Sequence, residues 1–268
     1  MTTHAERAQF ERDGYLIFDP GVPLTTLDAI TAELKDRFEW RVTNGVLKRV
    51  GRIQDAWKFS GHVRDLATAP RVLAMLEAFY GRKPLPFQTL NFPTGTEQHV
   101  HSDTVHFNSQ PAGFMCGVWV ALEDIDRDNG PLEYYPGSHK LPEITIEDVD
   151  RAGYVKHSSF DRFKAAVQDV LHANRPGRRY GEFVYRSYET FMGDLLKQLG
   201  IEPHYATIKK GQALLWAANL LHGGSPQRDQ RRTRFSQVTH YYFEGCRYYT
   251  PRLSRGRKLA WRKIEVIR

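Results

Sequence analysis

From Leu85 onwards the chain is a succession of short aromatic and β-branched runs: FQTLNF, HVHSDTVHF, GFMCGVWVAL, PLEYYP, YATIKK, QALLWAA and RFSQVTHYYF. Each is cut off by Gly, Pro, Asn or Asp, and the turn DIDRDNG at 124–130 joins two of them. Runs this short, punctuated this regularly, form strands and not long helices. Seven or eight in series predict a mainly β fold with flanking helices, a double-sheet barrel or sandwich.

Ahead of these runs the spacing changes. A short helix is expected over His4–Arg12 and a strand over Tyr15–Phe18. A second helix, Thr25–Glu39, has Leu27, Ile30, Leu34 and Phe38 on one face. A third, Pro70–Tyr80, carries Val72, Leu73, Leu76 and Phe79 in the same way. Such helices would pack outside a sheet. The strand series is interrupted at 144–199 by FDRFKAAVQDVLH, the basic NRPGRRYGE and the helical FVYRSYETFMGDLLKQLG. An insertion of that length between core strands reads as a lid or substrate loop. The whole of 1–268 is expected to be one domain, since barrels often reach this size undivided.

Composition excludes several classes. A hydrophobic fraction of 41% is that of a chain able to build a core, not of a disordered one. The longest largely apolar stretch, Gly113 to Leu122, is about half of what a bilayer crossing needs, so no membrane role is expected. The start lacks the apolar region of a secretory signal. Cys116 and Cys246 form no disulfide or metal spacing, and a reducing cytoplasm is the expected location. The excess of 38 Lys+Arg over 31 Asp+Glu gathers in QRDQRRTR and RLSRGRKLAWRK. No nucleic-acid-binding motif accompanies it; attraction of an anionic small substrate is the expected use.

The segment HVHSDTVHF carries chemistry. In a strand, alternate side chains share a face, so His101 and Asp103 would point the same way. With His222, which follows an apolar strand and precedes two glycines, they would supply two imidazoles and one carboxylate. That is the facial triad of Fe(II) oxygenases, with positions left open for an oxidant and an organic ligand. RRTRFSQVTHYYF places Arg232, Arg234, Ser236, Val238 and His240 on one strand face. An arginine buried there needs an anionic partner, and a dicarboxylate supplies one through a two-pronged contact.

On HSD (101–103), WVALEDIDRDNGPLEYYPGSHK (119–140) and HGGSPQRDQRRTRFSQVTHY (222–241), the sequence resembles the phytanoyl-CoA dioxygenase family of Fe(II)/2-oxoglutarate oxygenases, ectoine hydroxylase-like bacterial members included. The resemblance runs from FERDGYLIF to THYYF. It implies a double-stranded β-helix, or jelly roll, with iron at one open end. It gives His101, Asp103 and His222 as iron ligands and Arg234 as the anchor for the far carboxylate of 2-oxoglutarate, with Arg232 as the alternative. It also gives Asn91 as a further 2-oxoglutarate contact. The implied reaction consumes O2, releases succinate and CO2, and hydroxylates an unactivated C–H of a small molecule. Desaturation, epimerisation or cyclisation in natural-product biosynthesis are alternative outcomes. A non-catalytic cupin-like metal-binding protein and a zinc hydrolase are the alternatives from other classes. Relatives that halogenate have glycine or alanine in place of the carboxylate ligand; Asp103 argues against that reaction.

Around the triad, His106 and Phe107 are candidate substrate contacts, and Arg178, Arg179 and Arg186 in the insertion could attract an anion. His99 is expected to flank the metal without binding it. Trp119 and Trp216 read as core, His139 as fixing a loop, and His240 as hydrogen-bonded within the fold.

Overall fold

The computed structural model describes residues 3–43, 45–155, 167, 178–254 and 258–268, with side chains described from Tyr185 onward in the helix that starts at Arg178. The helix expected in FDRFKAAVQDVLH lies outside the described residues, as do the side chains of Arg178 and Arg179.

The first helix, α1 (His4–Asp13), starts at a capping box in which Thr3 and Glu6 satisfy each other's backbone N–H groups. It ends at Gly14, whose φ of 79° belongs to the left-handed region. A Cβ at Gly14 would overlap the ring of His139. His139 also hydrogen-bonds the Glu11 carbonyl at 3.2 Å, so it ties its loop to the helix end.

The core is a six-stranded antiparallel sheet in the order β1 (Tyr15–Phe18), β10 (Ala213–Ala217), β7 (Met115–Ala121), β12 (Ser236–Phe243), β5 (Pro84–Phe92) and β4 (Ile53–Gln54). Alternation sorts its side chains onto two faces. On one face Leu16, Phe18, Val118, Val120, Leu215, Tyr241 and Phe243 meet α2 (Leu24–Leu34), α3 (Gly61–Ala67) and α4 (Pro70–Tyr80), which contribute Leu27, Ile30, Val63 and Leu76. On the other, Trp119, Leu214, Trp216 and Val238 pack with Leu132 and Tyr134 of a three-stranded sheet, β11 (His222–Gly224), β8 (Leu132–Tyr134) and β9 (His204–Tyr205). Two ribbons complete the strands: β2 (Glu39–Thr43) with β3 (Val46–Val50), and β13 (Arg247–Tyr249) with β6 (Asn108–Gln110).

This corrects the expected mainly β jelly roll. The described chain is a mixed α/β arrangement of separate sheets with six, three, two and two strands, and none closes on itself. Two predicted strands account for much of the difference. YATIKK contributes only one strand residue, Tyr205, and HVHSDTVHF forms no strand: His101 makes one isolated bridge, and Asp103–Val105 is a 3-10 turn. Ser102 drives that turn by accepting a hydrogen bond from Thr104 N, a local bond that competes with ladder pairing.

From the insertion, α5 (Ile146–Arg151) and α6 (Arg178–Leu199) pack together, burying Val149, Tyr188, Met192 and Leu196.

Gly117 stands opposite Trp216 in the β7–β10 register, and a Cβ there would overlap the indole ring. Gly117→Ala is therefore expected to lower stability by about 1–3 kcal/mol in urea unfolding, the usual range for overpacking a filled core. Gly193→Ala, inside α6 with no atom near the added Cβ, should instead stabilise by up to about 1 kcal/mol. Equal effects at the two sites would discard this account of the Trp216 slot.

Candidate metal centre

His101 and His222 form a reciprocal backbone pair: His101 N donates to His222 O at 2.9 Å and His222 N to His101 O at 3.0 Å. Their rings lie 4.5 Å apart between centroids. Each Nδ1 faces a carbonyl two residues upstream, His101 to His99 at 2.9 Å and His222 to Leu220 at 3.0 Å. A carbonyl only accepts, so both Nδ1 atoms carry the proton and each Nε2 keeps a lone pair for a ligand; that of His101 lies 3.4 Å from the weakly donating Gln98 Nε2.

Asp103 reaches the same point through the turn it begins. Its Oδ2 accepts from Trp216 Nε1 at 2.8 Å and lies 3.7 Å from His240 Nε2. Its Oδ1 lies 3.9 Å from His222 Nε2. Ligand atoms of His101, Asp103 and His222 all fall within 4.8 Å of one another, and all three residues are buried. Sequence reasoning thus chose three residues that do meet, although by a turn and a bridge and not by strand alternation.

Burial brings the His101 imidazole down to about 4, with His222 adding to the effect. Burial likewise brings His240 to about 4. Burial alone would raise the Asp103 carboxyl, but His222, His240, His101 and the Trp216 donor hold it below its ordinary value. Neutral His101 beside a charged carboxylate is the state that binds a divalent metal. Two imidazoles and one carboxylate, all buried on one wall of a cavity, fit Fe(II) with open positions. A closed structural zinc site needs a fourth ligand, and among the described residues none joins the group.

The cavity measures about 490 Å³ and runs along the face of the six-stranded sheet that meets β11–β8–β9. Arg234 lines it, buried, immediately ahead of β12. Its Nη1 donates to Gly130 O at 3.0 Å and its Cζ stands 5.5 Å from the Trp119 ring centroid, while its Nε has no partner. Burial lowers the guanidinium to about 10, partly offset by the charge of Glu123. Arg232 is elsewhere: its Nη1 reaches both oxygens of Asp126, at 2.8 and 2.7 Å, on the surface.

His106 and Phe107 line the cavity. His106 Nε2 meets Tyr185 OH at 3.1 Å, and Phe107 stands 5.0 Å from His240 between ring centroids. Asn91 is not among the lining residues. Leu90 and Phe92 take the cavity face of β5, and Asn91 turns to the helix side, donating to Gln237, which in turn donates to Val63 O of α3. Arg186 is exposed, and its neighbour Tyr185 is the residue that α6 brings to the cavity.

Two contributions escaped sequence reasoning, and a third was legible only as charge in the run RLSRGRKLAWRK. Trp216 was read as core, although a buried indole N–H needs an acceptor, and that need was the available signal. Tyr185 and Gln98, 3.3 Å apart, meet only through tertiary packing. Arg252 and Arg262 reach the cavity because the C-terminal segment folds back along β13, with Arg262 N donating to Tyr248 O at 2.8 Å.

A profile described as Phytanoyl-CoA dioxygenase (PhyH) matches residues 10–235. Peroxisomal phytanoyl-CoA dioxygenase of Bos taurus is 33% identical over 102 residues, 35% of this chain and 30% of that protein. Its Rattus norvegicus counterpart is 22% identical over 204 residues, 74% of this chain and 51% of that protein. The matches thus span about half or less of these relatives. Among solved structures, EctD from S. alaskensis with bound Fe superposes with a TM-score of 0.64 at 15% identity, covering 100% of this chain and 86% of that one. The epimerase SnoN from nogalamycin biosynthesis gives 0.63 at 19% identity, covering 91% and 84%. These two likenesses speak for the fold. The expected cytoplasmic location is corrected by the mammalian relatives, which are named as peroxisomal. Unpaired cysteines report redox conditions and do not distinguish compartments. Among the described residues no helix is long and apolar enough to cross a membrane.

Trp216→Phe keeps the ring and removes the donor to Asp103 Oδ2. It is expected to weaken Fe(II) or Co(II) affinity by about 10–100-fold in calorimetric titration. Unchanged affinity would show that Asp103 is held by packing alone.

Proposed function

We propose, from the premise that this chain belongs to the phytanoyl-CoA dioxygenase family, that it is an Fe(II)- and 2-oxoglutarate-dependent oxygenase that hydroxylates an unactivated C–H of a small molecule, with release of succinate and CO2. One observation carries the reading: a single cavity presents a buried two-histidine, one-carboxylate set together with a buried arginine whose Nε has no partner.

Nε2 of His101, Nε2 of His222 and Oδ1 of Asp103 would hold the iron, and Arg234 would take the far carboxylate of 2-oxoglutarate. Iron and 2-oxoglutarate together supply the oxidising power that no side chain possesses. The protein's part is placement. Trp216 occupies Oδ2 of Asp103 and so reserves Oδ1 for the metal. The two Nδ1–H···O=C bonds fix the tautomer and the ring planes. Leu90, Phe92 and Val238 make the cavity floor apolar, which strengthens the Arg234–carboxylate contact by excluding water. His106, Phe107 and Tyr185 stand beside the triad, where substrate would enter. Residues 1–268 would act as one catalytic unit, with α6 of the 144–199 insertion bringing Tyr185 to the cavity. Asp103 fills the position whose loss would permit halogenation.

The test is anaerobic addition of Fe(II) and 2-oxoglutarate to metal-free protein, followed by the visible absorption of the chelate and, in air, by succinate release. The parent should show both, and Asp103→Ala neither. Arg234→Gln should bind iron normally but 2-oxoglutarate about 10–100-fold more weakly, the worth of a charge-assisted contact. Iron binding with no response to 2-oxoglutarate in the parent would overturn the reading.

A further inference from the structure

Among the described residues, Arg234 is one of four arginines on the cavity wall, the others being Arg52, Arg252 and Arg262, and Asp103 is the one carboxylate that lines it. None of these three forms an ion pair with a described carboxylate. Arg262 is half-buried between two rings, its Cζ 4.7 Å from the Phe107 centroid and 5.6 Å from that of Phe87. Its Nη1 donates weakly to Thr250 Oγ1 at 3.4 Å. Arg252, on the 3-10 turn Pro251–Leu253, has a buried Nε without a partner. The turn packs against α6 and against the Asp103–Val105 turn that carries the metal carboxylate. Burial lowers the Arg262 guanidinium; Tyr242 and the more distant Asp55 charge oppose this, and the like charge of Arg252 adds to it. Two half-buried guanidiniums close enough to repel, one of them with a buried Nε that has no partner, are a pair that an anion would satisfy.

That anion is not the one Arg234 would hold. Arg234 lies just ahead of Ser236, whereas Arg262 covers Phe87, which stacks on Tyr242. Ser236 and Tyr242 are the two ends of the cavity face of β12, about 20 Å apart along an extended strand. The triad's neighbour His240 sits on that face between them. A cosubstrate anchored at Arg234 therefore leaves the second cluster unserved. The planar, many-donor guanidinium pair suits an oxyanion, and the flanking Phe87 and Phe107 suit an apolar body beside it.

Building on the oxygenase reading, we propose that Arg252 and Arg262, with Arg52 at the rim, form the substrate-anchoring site, and that the substrate is a small molecule bearing a carboxylate- or phosphate-type group. Of the basic regions expected to attract an anion, the C-terminal run RLSRGRKLAWRK supplies Arg252 and Arg262 to the cavity wall. Arg186 is exposed and is not among the residues that line the cavity.

The experiment titrates inorganic phosphate, and separately acetate, into the full-length protein loaded anaerobically with Co(II) and 2-oxoglutarate, read by calorimetry. At least one of the two anions should bind. Its affinity should fall at least tenfold in Arg252→Gln and in Arg262→Gln, with 2-oxoglutarate affinity unchanged. Arg234→Gln should give the reverse pattern. Arg252 lies on a partly exposed turn, so its variant keeps the test valid if Arg262→Gln unfolds. Stronger binding of phosphate or of acetate identifies which oxyanion the site prefers. No anion binding, binding that survives both substitutions, or binding abolished by 2-oxoglutarate would overturn the proposal. If 2-oxoglutarate itself fails to bind while the anion still responds to Arg252 and Arg262, the anion site stands and the oxygenase reading falls.

Discussion

The two hydrogen bonds exchanged by His101 and His222 join segments that are 121 residues apart in the chain, and the metal centre depends on that closure. Neither histidine is placed by a long ladder. His222 opens the three-residue strand β11, and His101 belongs to no strand at all. The pair is supported from below by Trp216, whose indole lies 4.9 Å from the His222 ring and donates to Asp103. Trp216 in turn can lie flat because Gly117 opposite it has no side chain. A glycine in the central sheet thus sets the position of a carboxylate in the next layer.

Buried polar groups in this layer are arranged in two styles. The triad is satisfied from outside: carbonyls take the Nδ1 protons and an indole donates to one carboxylate oxygen, so the remaining ligand atoms converge, with only the long Gln98 contact on His101 Nε2 beside them. The cavity arginines are under-satisfied, with lone Nε groups on both Arg234 and Arg252. Glu123, the acid nearest in effect to Arg234, is already engaged by Phe235 N and Thr233 Oγ1. A fold that keeps buried cations short of partners is organised around ligands and not around its own stability.

Much of this was legible in the sequence because it depends on local period. The α4 pattern of Val72, Leu73, Leu76 and Phe79 corresponds to Pro70–Tyr80, and the run RFSQVTHYYF yields β12. The meeting of His101, Asp103 and His222 was legible through residue type and resemblance. What failed was decided by competition among local bonds or by distance in the chain. Ser102 capping a turn removed the strand on which the His101–Asp103 argument relied. Expecting the strand runs to close into one jelly roll overlooked how short β9 and β11 would be. Asn91 went to the helix face because its neighbours Leu90 and Phe92 claim the cavity face.

The C-terminal segment is pinned at its end, where Ile267 is buried and its N–H donates to Pro86 O of β5 at 2.8 Å. Between that clasp and β13 it lays Arg252 and Arg262 over the cavity, and both lie beyond residue 235, where the match to the family profile stops. The triad and Arg234 thus lie within the stretch that the profile matches, whereas two of the arginines lining the cavity come from the tail behind it. A change confined to this tail would alter the charge of the cavity wall while leaving the hydrogen bonds that hold the triad in place.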